Sequence, residues 1–345
     1  MPEPVKLSQR LQAMFSKTKL VCFGRYAIEV PQEAELVWGG VSIPSRLEIF
    51  KSGVGESQRL VTAEIAKIKY KERTAEITYA GEEPLAESWQ IRYFQNKFAK
   101  EDKQLFFNTY VDKGTFIFVS GDAVSDGETE ELVVGRQAAW AKSVRLRAPN
   151  EVPDDPGFCV EHGFLSESQY GDQEMASAGI YLPSLPDMMF SVSSNKDAYG
   201  DYSKEDFENE ERAKLSLLAR IAAAKASQPG TYPSRTVLRE GKRIVQHWHG
   251  EESLIKRRDG AHDFEWAFVG TPRDVANPSE FGAAMFTKVE HNIVGAAHAA
   301  SLSDDEAVAL FDKLLSGLKF RVKVPGAPAG SYFLPANKPA SAAPQ

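Results

Sequence analysis

The feature that most constrains this chain is a short pattern that occurs twice. Residues 40–45 read GVSIPS, and residues 179–184 read GIYLPS. A cysteine precedes each copy, Cys22 before the first and Cys159 before the second. A helical segment that runs into a basic strand follows each copy. Three markers in the same order predict two related domains, the product of an internal duplication.

Each half is predicted to close with a capped helix. The first closing segment, TEELVVGRQAAWAKSVRLR, begins at Thr129, and the second, SDDEAVALFDKLLSGLKFR, begins at Ser303. Ser303 and Glu306 have the S-x-x-E spacing of a capping box. Elsewhere, apolar residues alternate with polar ones, as in VCFGRYAIEV, which predicts strands. The fold class is therefore α+β, with two related domains that are each an antiparallel sheet flanked by helices.

Composition suggests where the domains begin and end. A chain of 345 residues is longer than one ordinary hydrophobic core requires. The segment RAPNEVPDDPG contains three prolines, which disfavour both helix and sheet. We expect an N-terminal helical extension over 1–18, a first domain over 19–150, a second domain over 157–325 and a disordered tail over 326–345.

Charge and motif content argue against several classes of protein. The formal net charge of −7 argues against a nucleic-acid-binding protein, which needs clustered Lys and Arg. The sequence has no apolar run near the ~20 residues of a membrane span. Nucleophile elbow, Walker phosphate loop, H-E-x-x-H and C-x-x-C motifs are absent from the sequence. We therefore expect a protein that is not an enzyme and that needs no cofactor and no metal.

The pair His247 and His249 is the best candidate for chemistry. Residues two apart on a strand point to the same face, so both imidazoles would reach one metal ion. Three downstream histidines are candidates for further ligands: His262, His291 and His298. The alternative hypothesis is therefore a metal-dependent periplasmic enzyme built on the second domain. The simpler interpretation is a solvated strand face, with Trp248 directed into the core.

The two cysteines leave two interpretations open. If each strand is buried within its own domain, both cysteines are small apolar core residues. If the two strands face each other, Cys22 and Cys159 form an interdomain disulfide. Closing so long a loop would stabilise the fold by about 4–5 kcal/mol in the chain-entropy model. Such a bond would also imply an oxidising compartment.

Residues 197–212 combine seven acidic and two basic side chains with interleaved aromatic residues. The simpler interpretation is a solvated helix N-terminus, where acidic side chains are favoured by the helix dipole. The alternative is a partner-binding segment in which aromatic residues anchor and acidic residues attract a basic partner. The expected partner-binding residues are Tyr199, Asp201, Tyr202, Glu205, Asp206 and Glu208.

These patterns carry a resemblance to a known family. The segment VCFGRYAIEVP, followed by a G-x-x-[IL]-P strand, resembles the N-terminal domain of immunity proteins that neutralise type VI secretion phospholipase effectors. The segments GFCVEHGFL and GIYLPSLP resemble the start of the C-terminal domain of that family. The resemblance spans residues 18–325, and its motifs are structural, so it carries no active-site residues to this chain.

The resemblance implies a function in bacterial competition. Members of the family bind a cognate α/β-hydrolase-type phospholipase effector and obstruct its active-site cleft, forming a toxin–antitoxin-like pair. This chain would then be a lipase inhibitor that protects the producing bacterium from its own toxin and from that of its siblings. Such toxins act from the periplasm, so a periplasmic location is implied. No signal peptide is visible at the start of this chain.

Overall fold

The computed structural model describes residues 5–82, 88–171, 173–197, 215–271, 273–288 and 299–336. This described part of the chain contains six helices and nineteen strands. The helices are α1 (Gln9–Met14), α2 (Glu56–Lys71), α3 (Lys97–Glu101), α4 (Glu130–Ser143), α5 (Leu217–Ser227) and α6 (Asp304–Ser316). The first nine strands are β1 (Thr18–Phe23), β2 (Tyr26–Pro31), β3 (Glu35–Ser42), β4 (Leu47–Lys51), β5 (Glu76–Glu82), β6 (Ser88–Phe94), β7 (Phe106–Asp112), β8 (Phe116–Ala123) and β9 (Val144–Leu146). The remaining strands are β10 (Gly157–Val160), β11 (Gly163–Ser166), β12 (Glu174–Tyr181), β13 (Met189–Lys196), β14 (Arg235–Val245), β15 (Trp248–Arg257), β16 (His262–Val269), β17 (Glu280–Phe286), β18 (Leu318–Val322) and β19 (Tyr332–Leu334).

The chain divides into two compact units that are not consecutive in sequence. The larger unit contains Met1–Gly40, Asn150–Pro156 and Gln169–Gln345, and the smaller unit contains Val41–Pro149 and Gly157–Ser168. This division differs from the consecutive domains that composition predicts over 19–150 and 157–325. The difference arises from strand pairing, because each cysteine-bearing hairpin pairs with a strand from the other half of the sequence.

Two small sheets show this exchange of hairpins. In the larger unit, the hairpin β1–β2 belongs to a four-stranded sheet with the order β1-β2-β18-β19. Tyr26 lies opposite Phe320, and their stacked rings have centroids 5.2 Å apart. In the smaller unit, the hairpin β10–β11 belongs to a three-stranded sheet with the order β10-β11-β9, in which Leu165 lies opposite Val144. In both sheets the second strand of the hairpin pairs with the strand that follows a capped helix.

A seven-stranded sheet dominates the larger unit. Its order is β14-β15-β16-β17-β13-β12-β3, and the pairings from β14 to β12 are antiparallel. β12 alternates between buried and less buried residues along its length, which is the pattern of a strand with one face in a core. Helix α6 packs on this inner face, where Phe311 contacts Phe190 and Phe264 with ring centroids 6.0 and 5.7 Å apart. We call the opposite face the outer face.

Helix α6 begins as the sequence predicts. The Ser303 side chain accepts a hydrogen bond from the backbone N–H of Glu306, and the Glu306 carboxylate accepts one from the backbone N–H of Ser303. This complete capping box satisfies N–H groups that the helix cannot pair internally. Three acidic residues in the first turn add favourable interactions with the helix dipole.

The smaller unit is built on a five-stranded antiparallel sheet with the order β4-β8-β7-β6-β5. Helix α2 packs on it through Val61 and Ile68, which contact a cluster that includes Ile91, Tyr110 and Ile117. The hairpin between β7 and β8 turns at residues 112–114, as the Asp-Lys-Gly sequence predicts. Helix α4 begins at the Thr129 cap, also as predicted.

The α+β class with antiparallel sheets is confirmed, whereas the internal duplication stays a prediction. The sequence predicts a helix around Phe207 to Lys225, and the described part of the chain has α5 over Leu217–Ser227; residues 198–214 lie outside the described part. No helix among the described residues combines the length and apolar character needed to cross a membrane.

Candidate partner-binding site

The residues that the sequence predicts as partner contacts lie outside the described part of the chain. They are Tyr199, Asp201, Tyr202, Glu205, Asp206 and Glu208. Their segment joins β13, which ends at Lys196, to α5, which begins at Leu217. The described surfaces on either side of this connection are therefore the first candidates for a binding site.

The outer face of the seven-stranded sheet carries small side chains in two neighbouring rows. Directly paired residues of one row are Ala267, Gly282, Ser193 and Ser177. Directly paired residues of the next row are Glu265, Ala284, Ser191 and Gly179. On β3, a Cβ atom at Gly39 would overlap with the Ser177 hydroxyl, so glycine is required for close approach of these two strands. The result is a shallow trough with a smooth floor.

The trough encloses a volume of about 580 Å³ beside α5. Arg220 of α5 and Glu265 of β16 form an exposed ion pair at 3.2 Å along one wall. Met175 and Leu215 line the trough with 41% and 48% of their surfaces exposed. Exposed apolar side chains around a smooth floor are typical of surfaces that contact other proteins. The small residues of the first row, Ala267, Gly282, Ser193 and Ser177, would contribute to binding mainly through shape.

Buried ion pairs hold the strands of this sheet. Arg25, at the turn between β1 and β2, donates from Nε to Glu174 at 2.7 Å, and Lys196 lies 3.5 Å from the same carboxylate. The guanidinium also lies 4.2 Å from the centre of the Tyr170 ring. Arg25 and Glu174 therefore form a buried ion pair. Removing one member of such a buried pair is strongly destabilising, so the pair holds the ends of β12 and β13 in place.

A second buried network lies between the inner face and α6. Arg239 of β14 donates to Glu252 at 2.7 Å and to Asp312 of α6 at 3.0 Å, and Arg243 lies 3.1 Å from Asp312. These hydrogen bonds to Glu252 and Asp312 raise the pKa of Arg239 above its ordinary value, although burial alone would lower it. Helix α6 is therefore attached to β14 by charge as well as by apolar packing.

The structure does not support the metal-dependent alternative at His247 and His249. His247 lies in the turn after β14, while His249 is exposed on β15, so the two imidazoles do not share one strand face. His247 Nε2 lies 2.8 Å from the carbonyl oxygen of Ala276, to which the buried Trp248 indole also donates at 2.8 Å. No group of three or more metal-binding side chains occurs among the described residues. Trp248 lies in the core, as the simpler interpretation expects.

His262 belongs to a buried polar cluster that sequence reasoning missed. Its Nδ1 lies 3.0 Å from the Thr287 hydroxyl, and its Nε2 lies 2.9 Å from Asp304 at the start of α6. A hydroxyl, an imidazole and a carboxylate in this order have the composition of a catalytic triad. Thr287 is only 3% exposed, however, and its hydroxyl also accepts a hydrogen bond from the His262 backbone. The cluster therefore fastens α6 to β16 and β17.

Both cysteines are buried in hairpins. Cys22 lies in β1 and Cys159 in β10, at 1% and 0% exposure. Neither is a free thiol. Two buried cysteines of this kind are consistent with a structural role and with an oxidising environment.

The smaller unit has its own groove, between α2 and the β4 edge of its sheet. The groove has a volume of about 470 Å³, and Phe50, Leu60 and Tyr110 contribute apolar surface to it. Burial raises the pKa of the Tyr110 hydroxyl, so this group stays neutral. The ion pair between Glu64 and Lys67 lies at the rim. Each unit thus presents a groove bordered by a helix.

These features define an α+β protein with antiparallel sheets, grooves bordered by helices and buried charges that serve the fold. Two family models match it in succession: the N-terminal domain of Tle cognate immunity protein 4 over residues 19–151, and the C-terminal domain of the same protein over residues 151–323. The chain belongs to the Tle cognate immunity protein 4 family.

Solved structures with the same fold support this assignment. The crystal structure of the Tle4–Tli4 complex contains a chain that is 24% identical, with a TM-score of 0.66, covering 88% of this chain and 97% of that chain. The apo structure of TplEi, a type VI secretion immunity protein from Pseudomonas aeruginosa, is 23% identical with a TM-score of 0.65 and coverage of 88% and 97%. TplEi complexed with "L" peptide is 23% identical with a TM-score of 0.63 and coverage of 89% and 99%. No curated protein matches this chain in sequence.

Proposed function

We propose that this chain is an immunity protein that binds and inhibits a cognate phospholipase effector of a type VI secretion system. The observation that carries the proposal is the succession of two family models over residues 19–323. A structure of the same fold is a complex of Tle4 with Tli4, and another holds a peptide, which supports a role in binding protein chains. The producing bacterium would be protected from its own toxin and from that of its siblings.

We propose further that inhibition is steric. The immunity protein would cover the entrance to the active-site cleft of the lipase, and no covalent bond would form or break. The grooves of about 580 and 470 Å³ offer shape for such a contact, one on each unit. Buried area and matched charge are sufficient for tight association when the surfaces are complementary.

A stoichiometric inhibition assay tests this function. We expect a lipase gene beside the gene for this chain; its product is co-purified with this chain, and phospholipid hydrolysis is measured as the immunity protein is added. We expect activity to fall to zero at a fixed molar ratio and to return when the complex is dissociated. Turnover of the lipase or of phospholipid by the immunity protein alone would contradict the proposal, as would full activity in the presence of excess immunity protein.

We also propose that the acidic and aromatic segment contacts the effector. The proposed contacts are Tyr199, Asp201, Tyr202, Glu205, Asp206 and Glu208. Their carboxylates would attract a basic surface and raise the association rate. In Asp201→Lys with Glu205→Lys, we expect association about tenfold slower and more weakly dependent on salt. The matched control reverses two exposed acids elsewhere, Glu35 and Asp126. Equal association rates for both double variants would exclude this segment.

A periplasmic location and a Cys22–Cys159 disulfide are joint proposals. The chain has two cysteines, and neither is a free thiol, which favours an oxidising compartment. Peptide mass spectrometry of the protein from periplasmic extract, digested without reductant, should recover the two cysteine peptides joined. Recovery of both thiols in alkylated form, or of the protein from the cytoplasmic fraction alone, would contradict these proposals.

A further inference from the structure

An open cleft lies at one end of the outer face of the larger unit, where β14 begins and β15 ends. Its volume is about 650 Å³. Tyr232 and Arg235 approach from the chain before and at the start of β14, and Ile255 and Arg257 approach from β15. Asp263 of β16 completes the floor. None of these residues belongs to the sheet core or to the networks that hold α6.

The register of the sheet places two arginines directly opposite each other. Arg235 pairs with Arg257 across β14 and β15, and Val237 pairs with Ile255 two residues further along. All four side chains lie on the same face, because residues two apart on a strand point in the same direction. Like charges directly opposite each other on neighbouring strands are destabilising. A bound anion would remove this repulsion.

The acidic residues of the cleft compensate its arginines only in part, so the arginines are available to bind an anion. Arg257 forms an ion pair with Asp259 at 3.0 Å, but both side chains are about half exposed, and such surface pairs contribute little. Among the described residues, Arg235 forms no ion pair at contact distance, although Asp263 interacts with it electrostatically, and its guanidinium lies 4.8 Å from the centre of the Tyr232 ring. Arg258, in the turn after β15, is exposed and lines the same cleft. Three arginines therefore face two acidic residues.

Asp263 is the acid closest to the apolar part of the cleft. It lies opposite Ile255 in the neighbouring strand. Burial raises its pKa above the ordinary aspartate value, while Arg257 and Arg235 act in the opposite direction. The carboxylate is thus costly to keep ionised at this position. Together with Asp259, it supplies two negative charges against three arginines in the lining of the cleft.

The cleft also has apolar surface beside the guanidinium groups. Tyr232 and Ile255 are partly buried, and Val237 beside them is 49% exposed. Tyrosine and arginine are the side chains that most often dominate the binding energy of protein interfaces. A flat aromatic ring held against a guanidinium needs little reorganisation on binding, so less conformational entropy is lost.

We propose that the cleft of Tyr232, Arg235, Ile255 and Arg257 binds an acidic segment of the effector, with Asp or Glu carboxylates on the arginines and a neighbouring apolar side chain on Tyr232. Planar carboxylates match the guanidinium fork in two hydrogen bonds. The apolar surface between the arginines favours a peptide over a bare anion. This inference rests on the proposed function, and it names the chemistry of one contact.

The test uses the double variant Arg235→Glu with Arg257→Glu. Its matched control is Lys17→Glu with Lys323→Glu, two exposed lysines of the same unit that have no ion pair among the described residues. Affinity for the co-purified lipase and for a fluorescent hexaglutamate peptide ending in tryptophan is measured at low and at physiological salt. Circular dichroism and thermal unfolding check that each variant is folded.

We expect the arginine variant to lose about tenfold to hundredfold in affinity for the lipase, and to lose peptide binding, while the lysine variant keeps both. Equal lipase affinity for the arginine variant, the lysine variant and the wild type would overturn the inference. If the wild-type chain binds no lipase, the proposed function fails. In that case the peptide measurement alone tests the inference. Loss of peptide binding only in the arginine variant supports the inference that the cleft binds an acidic segment, and equal peptide binding in both variants overturns it.

A third arm separates a protein partner from a lipid surface. The same variants are mixed with vesicles of phosphatidylglycerol, whose headgroups also carry anions. Binding to vesicles that is lost in the arginine variant, together with unchanged lipase affinity, would assign the cleft to a membrane surface and contradict the proposal. No vesicle binding together with reduced lipase affinity supports it.

Discussion

Helices α4 and α6 begin with similar sequence markers but occupy different depths in their units. Of the 13 residues of α6, eight are buried, whereas three of the 14 residues of α4 are buried. Helix α6 has a complete capping box, and α4 has a single side-chain cap from Thr129. Similar local sequence thus gives a central element in the larger unit and a peripheral one in the smaller.

The comparison also bears on binding. The inner face of the seven-stranded sheet is occupied by α6, so its outer face is the one that offers the trough and the arginine cleft. In the smaller unit, the apolar cluster forms between α2 and the five-stranded sheet, and the groove lies beside the same helix. The larger unit therefore has its helix-covered core on one face of the sheet and its grooves on the other, whereas the smaller unit has its apolar cluster and its groove beside the same helix.

The largest expected effect is the loss of the Phe311 ring from α6. Phe311→Ala removes contacts with Phe190 and Phe264 and leaves a cavity, so we expect a loss of about 3–5 kcal/mol in the free energy of unfolding. The matched change in α4, Val133→Ala, removes two methyl groups and should cost about 1.5 kcal/mol. Urea denaturation of both variants measures the two values. Equal losses would show that both helices have the same role.

The next effect concerns the charges beneath each helix. Asp312→Ala leaves Arg239 and Arg243 without this carboxylate in a buried site, and we expect a loss of about 3 kcal/mol. In the smaller unit, Asp122→Ala removes a partner of Arg136, which is 39% exposed, and should cost about 1 kcal/mol or less. Thermal unfolding at low and high salt distinguishes them, because salt screens only the exposed pair. If the stability loss in Asp312→Ala depends strongly on salt, the ion pairs of Asp312 are not buried and the prediction is wrong.

Helix caps give a smaller difference. Ser303→Ala removes a cap that belongs to a reciprocal pair with Glu306, and we expect a loss of about 1–2 kcal/mol. Thr129→Ala removes one hydrogen bond of 3.3 Å to Leu132 and should cost about 0.5–1 kcal/mol. Unfolding in urea provides both values. The replacements Ser303→Asp and Thr129→Asp should retain most of the stability, which separates capping from other effects of the substitutions.

The smallest expected effect is the dependence of the free energy of unfolding on pH. In the smaller unit, hydrogen bonds from Arg136 lower the pKa of Glu128 to about 2. A lowered pKa in the folded state means that the ionised carboxylate stabilises the fold above the ordinary glutamate pKa, and that this contribution is lost as pH falls toward 2. The Glu128 side chain is 22% exposed and its partner Arg136 is 39% exposed, so solvent screens the pair and the contribution should be below about 1 kcal/mol.

NMR titration of the Glu128 carboxyl carbon checks this prediction. We expect its midpoint near pH 2 in the wild type and a higher midpoint in Arg136→Ala, where the Ser125 backbone N–H still donates to the carboxylate and keeps the pKa below the ordinary value. Glu306 in the larger unit is the internal comparison, because the Ser8 hydroxyl, rather than an arginine, is the main group that lowers its pKa. Arg136→Ala should leave its midpoint unchanged. A titration midpoint of wild-type Glu128 near the ordinary value of 4.5 would show that Arg136 does not form these hydrogen bonds with Glu128.

Local sequence was sufficient to predict those features that are formed by residues close together in the chain. The capping box at Ser303, the N-cap at Thr129 and the turn at residues 112–114 are all present as predicted. Side-chain caps and tight turns involve residues a few positions apart, so their chemistry is visible in the sequence. The placement of Trp248 in the core was equally accessible, because a large apolar side chain between two histidines has one favourable face.

Sequence reasoning failed where a backbone turn or a contact with a distant residue determines the position of a side chain. The pair His247 and His249 was expected on one strand, but Gln246 adopts a positive φ of 54° and turns the chain there. The buried roles of Arg25 and His262 depend on Glu174 and Asp304, which lie far away in sequence. No local signal identifies such partners. The arginine pair at 235 and 257 depends on the register of β14 against β15.

The sequence by itself determined the class of fold, the N-terminal starts of the closing helices, the hairpin turn at residues 112–114 and the family. Tertiary structure alone decided which half supplies each cysteine-bearing hairpin, which sheet face α6 covers, and therefore which face carries the small-residue trough and the arginine cleft. The physical reason is the separation in sequence over which each kind of interaction acts. Caps, turns and periodicity act over a few residues, whereas strand pairing and register are chosen by burial between segments far apart in the chain.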